Sequence, residues 1–280
     1  DQTLHKNLVK ILTDQGIIEQ TFYVGGMVRD HLLGRSSRDI DIVVENVAPE
    51  QFIVLSRSFK LIGEDFPVFT FEVESSDGTE TIELAVARKE RSTGISHTDF
   101  ETEFGADISL EDDLARRDIT INAMAVPLTD LDNVVDLFGG ISDLTAGIIK
   151  HTTDAFSEDP LRVFRVARFA ARYDFKVDPS TIELMKTLVI ATDSISEERV
   201  FAELQKVFAS AQRPSIFFRV LRESENLDMW FPVLSNLIGL SHIHNKDVFD
   251  HTMDVIDNVR SFGSSATALF GAVYHDAGKI

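Results

Sequence analysis

Two aspartates separated by a single apolar residue are the feature of this sequence that most directly suggests chemistry. Asp39 and Asp41 lie in the segment RDIDIVVE, whose pattern predicts a β-strand. Because successive side chains of a strand point to opposite faces, both carboxylates share one face while Ile40 and Ile42 turn towards a core. Two adjacent carboxylates repel each other, and Mg²⁺, which prefers oxygen ligands and substrate phosphates, removes that repulsion. A solvated strand face at a sheet edge is the alternative explanation.

A glycine pair precedes the acidic strand. Gly25 and Gly26 follow the strand-like TFYV and open a helical pattern that places Arg29 one turn later. The amides of a helix N-terminus, left accessible by the missing side chains, can receive a phosphate. A tight turn explains the same glycines equally well. A third acid, Glu83 in the later strand pattern TIELAVA, either completes a metal cluster with the aspartates or is an exposed strand residue.

Arginines recur along the helical pattern DPLRVFRVARFAARY, at Arg162, Arg165, Arg168 and Arg172. On a helix these side chains fall within roughly a third of the circumference, and most of the other positions are apolar. A helix that is so apolar elsewhere is mostly buried. Its arginines therefore require anions, which are either protein carboxylates or the phosphates of a ligand.

Asp159 and Arg162 have two explanations. Pro160 favours the first helical position, which makes Asp159 a natural N-cap. Alternatively, the two side chains, spaced by three on one helix face, read a base. A carboxylate only accepts hydrogen bonds and a guanidinium only donates them, so the pair matches the amino group and ring nitrogen of cytosine or adenine. Uracil and guanine present the opposite polarity and leave both groups unpaired.

The composition limits the class of protein. With 280 residues, 44% of them hydrophobic, the chain can form sizeable cores and more than one domain. The absence of cysteine excludes disulfides and thiolate metal sites. A formal net charge of −19 argues against broad attraction to polyphosphates, so a nucleic-acid partner requires a local basic surface. No apolar run approaches the roughly 20 residues that cross a bilayer, and we expect a cytoplasmic protein without a membrane partner.

The order of patterns predicts an α+β fold. Residues 21–87 alternate strand-like and helix-like segments, which indicates a small mixed sheet with flanking helices. The polar stretch 88–112 is a long connection of the kind that is usually functional or mobile. The strand-like INAMAVPL and NVVDLF close this domain near residue 145. Every later segment has a helical pattern.

Together the motifs resemble a known family. The glycine pair, the h-D-h-D-h strand and the later h-E-h strand resemble the nucleotidyltransferase signature of the polymerase β superfamily. LEDDLARRDITINAMA, EDPLRVFRVARFAARY and ERVFAELQKVF resemble, in the same order, motifs of the class II tRNA nucleotidyltransferase and bacterial poly(A) polymerase family. Within that family the chain is most similar to bacterial CCA-adding enzymes that carry an HD domain. The resemblance implies a polymerase β-like catalytic head at 1–145, a helical neck for base recognition at 146–212 and a helical body at 213–280.

The resemblance also implies site residues and an activity. Asp39 and Asp41 hold Mg²⁺ and form the catalytic acids together with Glu83, and Asp159 and Arg162 read the base. The residues expected to hold the incoming nucleotide beside them are Gly25, Gly26, Arg29, Arg117, Arg165 and Arg168. The expected reaction is template-independent addition of C, C and A to the 3′ end of tRNA from CTP and ATP. Without the surrounding motif RRDxTxNA, Arg117 and its neighbour Arg116 would suggest only a solvated charge cluster at a helix end.

The end of the sequence suggests a second metal site. His251 lies on one helical pattern, and His275 and Asp276 close another within HDAGK. Histidines and an acid from two helices can bind a transition metal, and the phrase resembles the start of an HD phosphohydrolase domain. Two surface helices explain the same residues. The chain begins without Met and ends inside this motif, so we expect a fragment whose last HD aspartate lies beyond Ile280.

Three other functions are compatible with the sequence. A relative restricted to A, either an A-adding enzyme or a poly(A) polymerase, would use the same base-reading pair. An HD-type phosphohydrolase would use the first domain only to bind nucleotide or RNA. A non-catalytic RNA-binding module would need its binding confined to the arginine face, because the net charge is negative.

Overall fold

The structure is a computed structural model of two compact units. The residues that it describes are 1–36, 40–63, 66–92, 100–241, 247–263 and 265–279. The first unit comprises Asp1–Ser142 and Thr152–Ala155, and the second comprises Asp143–His151 and Phe156–Ile280. The finer division into head, neck and body stays a prediction.

A six-stranded mixed sheet is the centre of the first unit. In chain order the strands described in this unit are β1 (Thr21–Val24), β2 (Asp41–Val44), β3 (Lys60–Ile62), β4 (Val68–Ser75), β5 (Gly78–Val86), β6 (Lys89–Ser92), β7 (Phe100–Glu103) and β8 (Ala125–Pro127). The sheet has the order β3-β4-β5-β2-β1-β8, while β6 and β7 form a separate antiparallel pair. The β2–β5 pair is parallel, and the other four pairs of the sheet are antiparallel.

The sheet forms where the predicted apolar strands meet. All four residues of β1 are buried, as are Ile42, Val43 and Val44 of β2. Strands covered on both faces read as continuous apolar runs, which is why TFYV and IVV carry no alternation. On β5, buried Ile82 and Leu84 alternate with exposed residues, so one face of that strand meets the core and the other meets solvent.

Helices flank this sheet. They are α1 (Gln2–Asp14), α2 (Gly26–Leu32), α3 (Pro49–Ser58), α4 (Leu110–Ala115) and α5 (Gly140–Ala146), the last of which crosses into the second unit. The sequence analysis did not identify α1. Its signal was the i, i+4 spacing of Leu4, Leu8 and Leu12, which are buried, and the capping carboxylate of Asp1, which accepts from the backbone N of Thr3 (2.8 Å).

The second unit is almost entirely helical. Its described elements are β9 (Ile148–Ile149), α6 (Arg162–Tyr173), β10 (Lys176–Val177), α7 (Pro179–Thr187), α8 (Val189–Thr192), α9 (Glu197–Ser210), α10 (Ser215–Glu223), α11 (Leu227–Trp230), α12 (Pro232–Ser235), α13 (Val248–Ser261) and α14 (Ala266–Tyr274). Helix α6 packs against α9 and α10, and ten of its twelve residues are buried. No helix of the described residues combines the length and apolarity needed to cross a membrane.

Several predictions about secondary structure are wrong or only partly right. Within INAMAVPL only Ala125–Pro127 is a strand, because Thr120–Asn122 form a 3₁₀ turn, and the stretch 88–112 contains the β6–β7 pair and the start of α4.

The region after residue 145 is not wholly helical, because β9 and β10 form a short parallel pair. The segment NVVDLF is not a strand. Only Val135 pairs there, in an isolated bridge with Ala125, and the carboxylate of Asp136 accepts hydrogen bonds from the backbone N of Gly140 and Ile141. Those bonds turn the chain into α5 and end the pairing.

Candidate active site

The parallel pairing of β2 with β5 brings two acidic side chains together. Asp41, the first residue of β2, lies directly beside Glu83 of β5. Both are exposed while their neighbours Ile42 and Leu84 are buried, so the two carboxylates lie on the same solvent-facing side. Asp39, the other acid predicted to hold Mg²⁺, lies outside the described residues. Metal binding by these acids stays a prediction.

The glycine turn after β1 lies next to Asp41. Gly25 has a φ of +68°, in the region that favours glycine. A Cβ atom on Gly25 would lie 2.9 Å from Nη1 of Arg117 and 3.9 Å from Oδ2 of Asp41. A side chain at this position would therefore displace the guanidinium. We call Gly25, Asp41, Glu83 and Arg117 the Asp41 site.

Arg29 lies beneath the glycine turn. It is 4% exposed, and its Nε donates to Oδ1 of Asp30 (2.9 Å) while its Nη1 donates to Oδ1 of Asn122. The amide of Asn122 in turn donates to Oδ1 of Asp118 (3.2 Å). A Cβ atom on Gly26 would lie 3.3 Å from Nη2 of Arg29. These bonds fix the start of α2 against residues 118–122, and the predicted contact of Arg29 with a nucleotide stays a prediction.

Arg117 is held by a buried acid. Asp113 of α4 is 0% exposed, and its Oδ2 accepts from Nε (3.3 Å) and Nη2 (3.0 Å) of Arg117. Its Oδ1 accepts from Nη2 of Arg116 (2.6 Å). Burial by itself raises the pKa of Asp113, but the charges of Arg117 and Arg116 and their hydrogen bonds outweigh it and hold the pKa below its usual value. The carboxylate therefore stays charged at neutral pH.

In the second unit, Asp159 lies just before α6. This helix begins at Arg162, two residues after the predicted start at Pro160, because the backbone N of Arg162 bonds to O of Asp159 (3.0 Å) in a tighter turn. The carboxylate of Asp159 accepts from the backbone N of Leu161 (3.0 Å), so it caps this turn. Its other oxygen lies 3.6 Å from Nη2 of Arg199. Arg162 is 7% exposed, and base reading by this pair stays a prediction.

The arginine face of α6 meets a protein carboxylate. Arg168 is buried, and its Nε donates to Oε2 of Glu203 on α9 at 2.5 Å. Its guanidinium also lies 4.0 Å from the ring centroid of Phe169. Burial raises the pKa of Glu203, but the charge of Arg168 and bonds from Lys206 and Arg168 outweigh it and lower the pKa below its usual value. Arg168 thus uses a protein anion, whereas Arg165 is half-buried, and nucleotide contacts by both stay predictions.

The predicted second metal site forms a cluster in the second unit. Single ligand atoms of His251, His275 and Asp276 all lie within 4.8 Å of one another. The Nδ1 atom of His275 is 2.7 Å from O of Ala272, which leaves Nε2 at 3.3 Å from Oδ2 of Asp276. The same oxygen accepts from Nζ of Lys279 (2.8 Å). Two imidazoles and a carboxylate are a donor set that suits a transition metal.

Two family models match this chain, one mainly in the first unit and one in the second. Residues 21–150 match the model described as the poly A polymerase head domain. Residues 174–238 match the model described as a probable RNA and SrmB-binding site of polymerase A. The two matched regions together cover more than half of the chain.

Curated relatives agree with these matches. A multifunctional CCA protein of Cupriavidus metallidurans is 42% identical over 271 residues, which are 93% of this chain and 63% of the relative. A multifunctional CCA protein of Hahella chejuensis is 40% identical over 269 residues. The chain belongs to the class II tRNA nucleotidyltransferase and poly(A) polymerase family. It spans about 63% of the length of the first of these relatives.

Solved structures of this family have the same fold. The chain matches a Thermotoga maritima CCA-adding enzyme complexed with tRNA with a TM-score of 0.65 and 27% identity, over 97% of this chain and 65% of that one. It matches a CCA-adding enzyme in complex with ATP with a TM-score of 0.67 and 28% identity, over 96% of this chain and 61% of that one. The predicted fold, a polymerase β-like head followed by helices, is confirmed.

The acids and the amide that hold the arginines of this family member were missed in the sequence. Asp113 lies three and four residues before its partners, so the spacing within LEDDLARR was a usable signal. Glu203 is 35 residues from Arg168, and Asn122 is 93 residues from Arg29. Neither separation leaves a local pattern.

Replacing the acid under Arg168 is expected to cause a pH-dependent loss of stability. Glu203→Gln leaves a buried guanidinium without its anion, which costs about 2 kcal/mol at neutral pH and lowers the melting temperature by roughly 5 °C. The native pKa of Glu203 lies below the unfolded value of about 4.3. The ion pair therefore stabilises fully above that pH, and its contribution disappears as the pH falls through the native pKa.

Thermal melts of wild type and variant, from neutral pH to about pH 3, measure this difference. Glu183→Gln is the control, because Glu183 forms an exposed pair with Lys186 on α7. A difference between wild type and Glu203→Gln that stayed constant over the whole pH range would contradict the assignment.

Proposed function

We propose that the protein is a template-independent nucleotidyltransferase that adds C, C and A to the 3′ end of tRNA from CTP and ATP and releases pyrophosphate. The observation that carries the proposal is the Asp41 site, where two adjacent acids, a glycine turn and a guanidinium converge. Relatives named multifunctional CCA proteins, and neighbours solved with ATP, CTP or tRNA, support the choice of substrates. A tRNA substrate also favours a cytoplasmic location.

The Asp41 site fits a magnesium ion. Asp41 and Glu83 offer hard oxygen donors on one exposed face, and Mg²⁺ is characteristically bound by one or two carboxylates plus substrate phosphates. Asp39 and Asp41 would hold the ion, with Glu83 beside them. When bound, the metal supplies charge stabilisation for in-line displacement at the α-phosphate.

Residues of the chain orient the substrates of this reaction. Within the described part of the chain, Nη1 of Arg117 has no acceptor, so its N–H groups can donate to an oxygen of the incoming nucleotide. The terminal hydroxyl of tRNA attacks the α-phosphate, the bond to the β-phosphate breaks, and pyrophosphate leaves. Gly25 keeps the space next to Asp41 and Arg117 open for that phosphate chain.

Base selection is assigned to Asp159 and Arg162. A carboxylate that accepts and a guanidinium that donates match the Watson–Crick edges of cytosine and adenine and leave uracil and guanine unpaired. Arg162 is 7% exposed, so an unsatisfied bond to it would be costly. Such a pair selects C and A without a nucleic-acid template.

A second candidate activity is a metal-dependent phosphohydrolase in the HD region. The observation that favours it is the convergence of His251, His275 and Asp276. Two imidazole nitrogens and one carboxylate fit a transition metal, and the bond from His275 Nδ1 to O of Ala272 orients the other ring nitrogen, Nε2, towards Asp276. The metal, when bound, would activate a water for attack on a phosphate.

Primer extension on a tRNA that ends at the discriminator base tests the main proposal. CTP alone is expected to add two residues, ATP alone none, and ATP after CTP one. Asp159→Ala should reduce the use of CTP and ATP by at least about tenfold, because the exocyclic amino group of the base loses its hydrogen-bond acceptor. Glu183→Ala, which removes an exposed acid of α7, should have no effect. Addition of A without any C would exclude CCA synthesis and favour an A-adding enzyme or a poly(A) polymerase.

The acidic pair should be essential for addition. Asp41→Asn removes a charged metal ligand with little change in volume and is expected to lower the rate more than about a hundredfold, while melting temperature stays close to wild type. Glu80→Gln is the matched control, since Glu80 is an exposed acid of β5 on the face opposite Glu83. Full addition activity in Asp41→Asn would contradict this site.

Metal titration tests the second candidate. Isothermal titration with Ni²⁺, which imidazole ligands bind well, should show one tight site in the wild-type chain. His275→Ala should abolish it, and His31→Ala, which removes an exposed histidine of α2, should not. Equal binding by the wild type and by His275→Ala would remove the support for a metal-dependent phosphohydrolase.

A further inference from the structure

Asp113 is a buried carboxylate whose presence is not explained by stabilisation alone. Its carboxylate is 0% exposed yet accepts from two guanidinium groups, those of Arg116 and Arg117. Burying ions costs free energy that their attraction often only offsets, so such a cluster is weak evidence of a purely stabilising role. Apolar side chains of similar volume would fill the same place in a core. A fixed geometry is what an ion cluster supplies and an apolar one does not.

That geometry determines where the free end of Arg117 points. A guanidinium is planar and rigid, so fixing two of its nitrogens fixes the third. Asp113 takes Nε and Nη2 of Arg117 on one oxygen, at 3.3 and 3.0 Å. The remaining nitrogen, Nη1, lies over Gly25, 2.9 Å from where a Cβ atom would be. The same point is 3.9 Å from Oδ2 of Asp41.

The second guanidinium, that of Arg116, makes the cluster around Asp113 positively charged overall. Oδ1 of Asp113 bonds to Arg116 (2.6 Å) and lies 3.4 Å from the backbone N of Arg88. One carboxylate shared by two guanidinium groups leaves one net positive charge close to the acids of the Asp41 site. An anionic ligand at that site therefore meets an attractive group whose position is set in advance.

We propose that Asp113 is a positioning residue for nucleotide binding, which holds Arg117 so that Nη1 donates to an oxygen of the incoming CTP or ATP. This inference rests on the proposed function, because it requires a nucleotide at the Asp41 site. Asp113 does not touch the nucleotide itself. Its effect passes through Arg117, and losing it weakens nucleotide binding while the reacting groups remain in place.

Asp113→Asn tests the inference, with Glu111→Gln as control because Glu111 is an exposed acid of the same helix. We expect the Kd and KM for CTP and ATP to rise about tenfold in Asp113→Asn, with kcat within about twofold and the KM for tRNA unchanged. The Kd is measured with Mg²⁺ and without tRNA. These constants do not depend on the fraction of folded protein, so partial unfolding cannot imitate the effect. A purely structural role would lower the apparent kcat and leave KM unchanged, which would overturn the inference.

A double-mutant cycle with Arg117→Ala shows whether Asp113 acts through Arg117. Once Arg117 is removed, Asp113→Asn should weaken nucleotide binding less than about twofold further. A full additional loss would contradict the inference. Asp113→Glu serves where the asparagine variant fails to fold, because it keeps the ion pair but shifts the guanidinium by one methylene. It should fold and still bind CTP weakly, and wild-type affinity in this variant would overturn the positioning role.

Failure of this inference differs from failure of the proposed function. If wild type binds CTP and Arg117→Ala weakens binding while Asp113→Asn does not, only the role of Asp113 is wrong. If the wild-type chain binds neither CTP nor ATP, both the proposed function and this inference fall.

Discussion

The parallel pairing of β2 with β5 is the constraint on which the first unit's site depends. Parallel neighbours cannot be joined by a tight turn, so the chain runs through α3, β3 and β4 before β5 returns beside β2. The buried side chains of Ile42 and Leu84 hold the register, because a slip by one residue would turn each of them to solvent. Core packing therefore fixes the separation of Asp41 and Glu83, although neither carboxylate belongs to the core.

A second constraint is that buried arginines are matched by acids or amides of the protein. Arg29 bonds to Asp30 and Asn122 in the first unit. Arg168 bonds to Glu203 in the second. Each guanidinium is planar with donors in a fixed arrangement, so these protein groups determine its orientation. An arginine held in this way has a fixed position before any ligand arrives.

The sequence predicted what is encoded locally. Central strands, the long helices and the glycine turn follow from short apolar patterns, and these predictions agree with the structure. The pairing of Asp41 with Glu83 was predicted only as a possibility, since a register between strands 42 residues apart leaves no short-range pattern. The helical spacing of Asp113 from Arg116 and Arg117 was enough to predict the two ion pairs. Their importance depends on the burial of Asp113, which spacing does not reveal. The failed strand NVVDLF shows the opposite limit, because the capping carboxylate of Asp136 prevailed over β-propensity.

The inward direction of the arginines has a consequence for the outside of the molecule. The chain carries 27 basic and 46 acidic residues, and three of the basic ones that the structure describes, Arg29, Arg162 and Arg168, are buried. Five acids in the described part of the chain are buried with them, namely Asp30, Asp113, Asp118, Glu203 and Asp276. The exterior therefore keeps the acidic excess of the composition and repels long polyanions that do not reach the buried donors. Under the proposed function, this acidic exterior would weaken non-specific binding to unrelated RNA and would speed the release of the finished product.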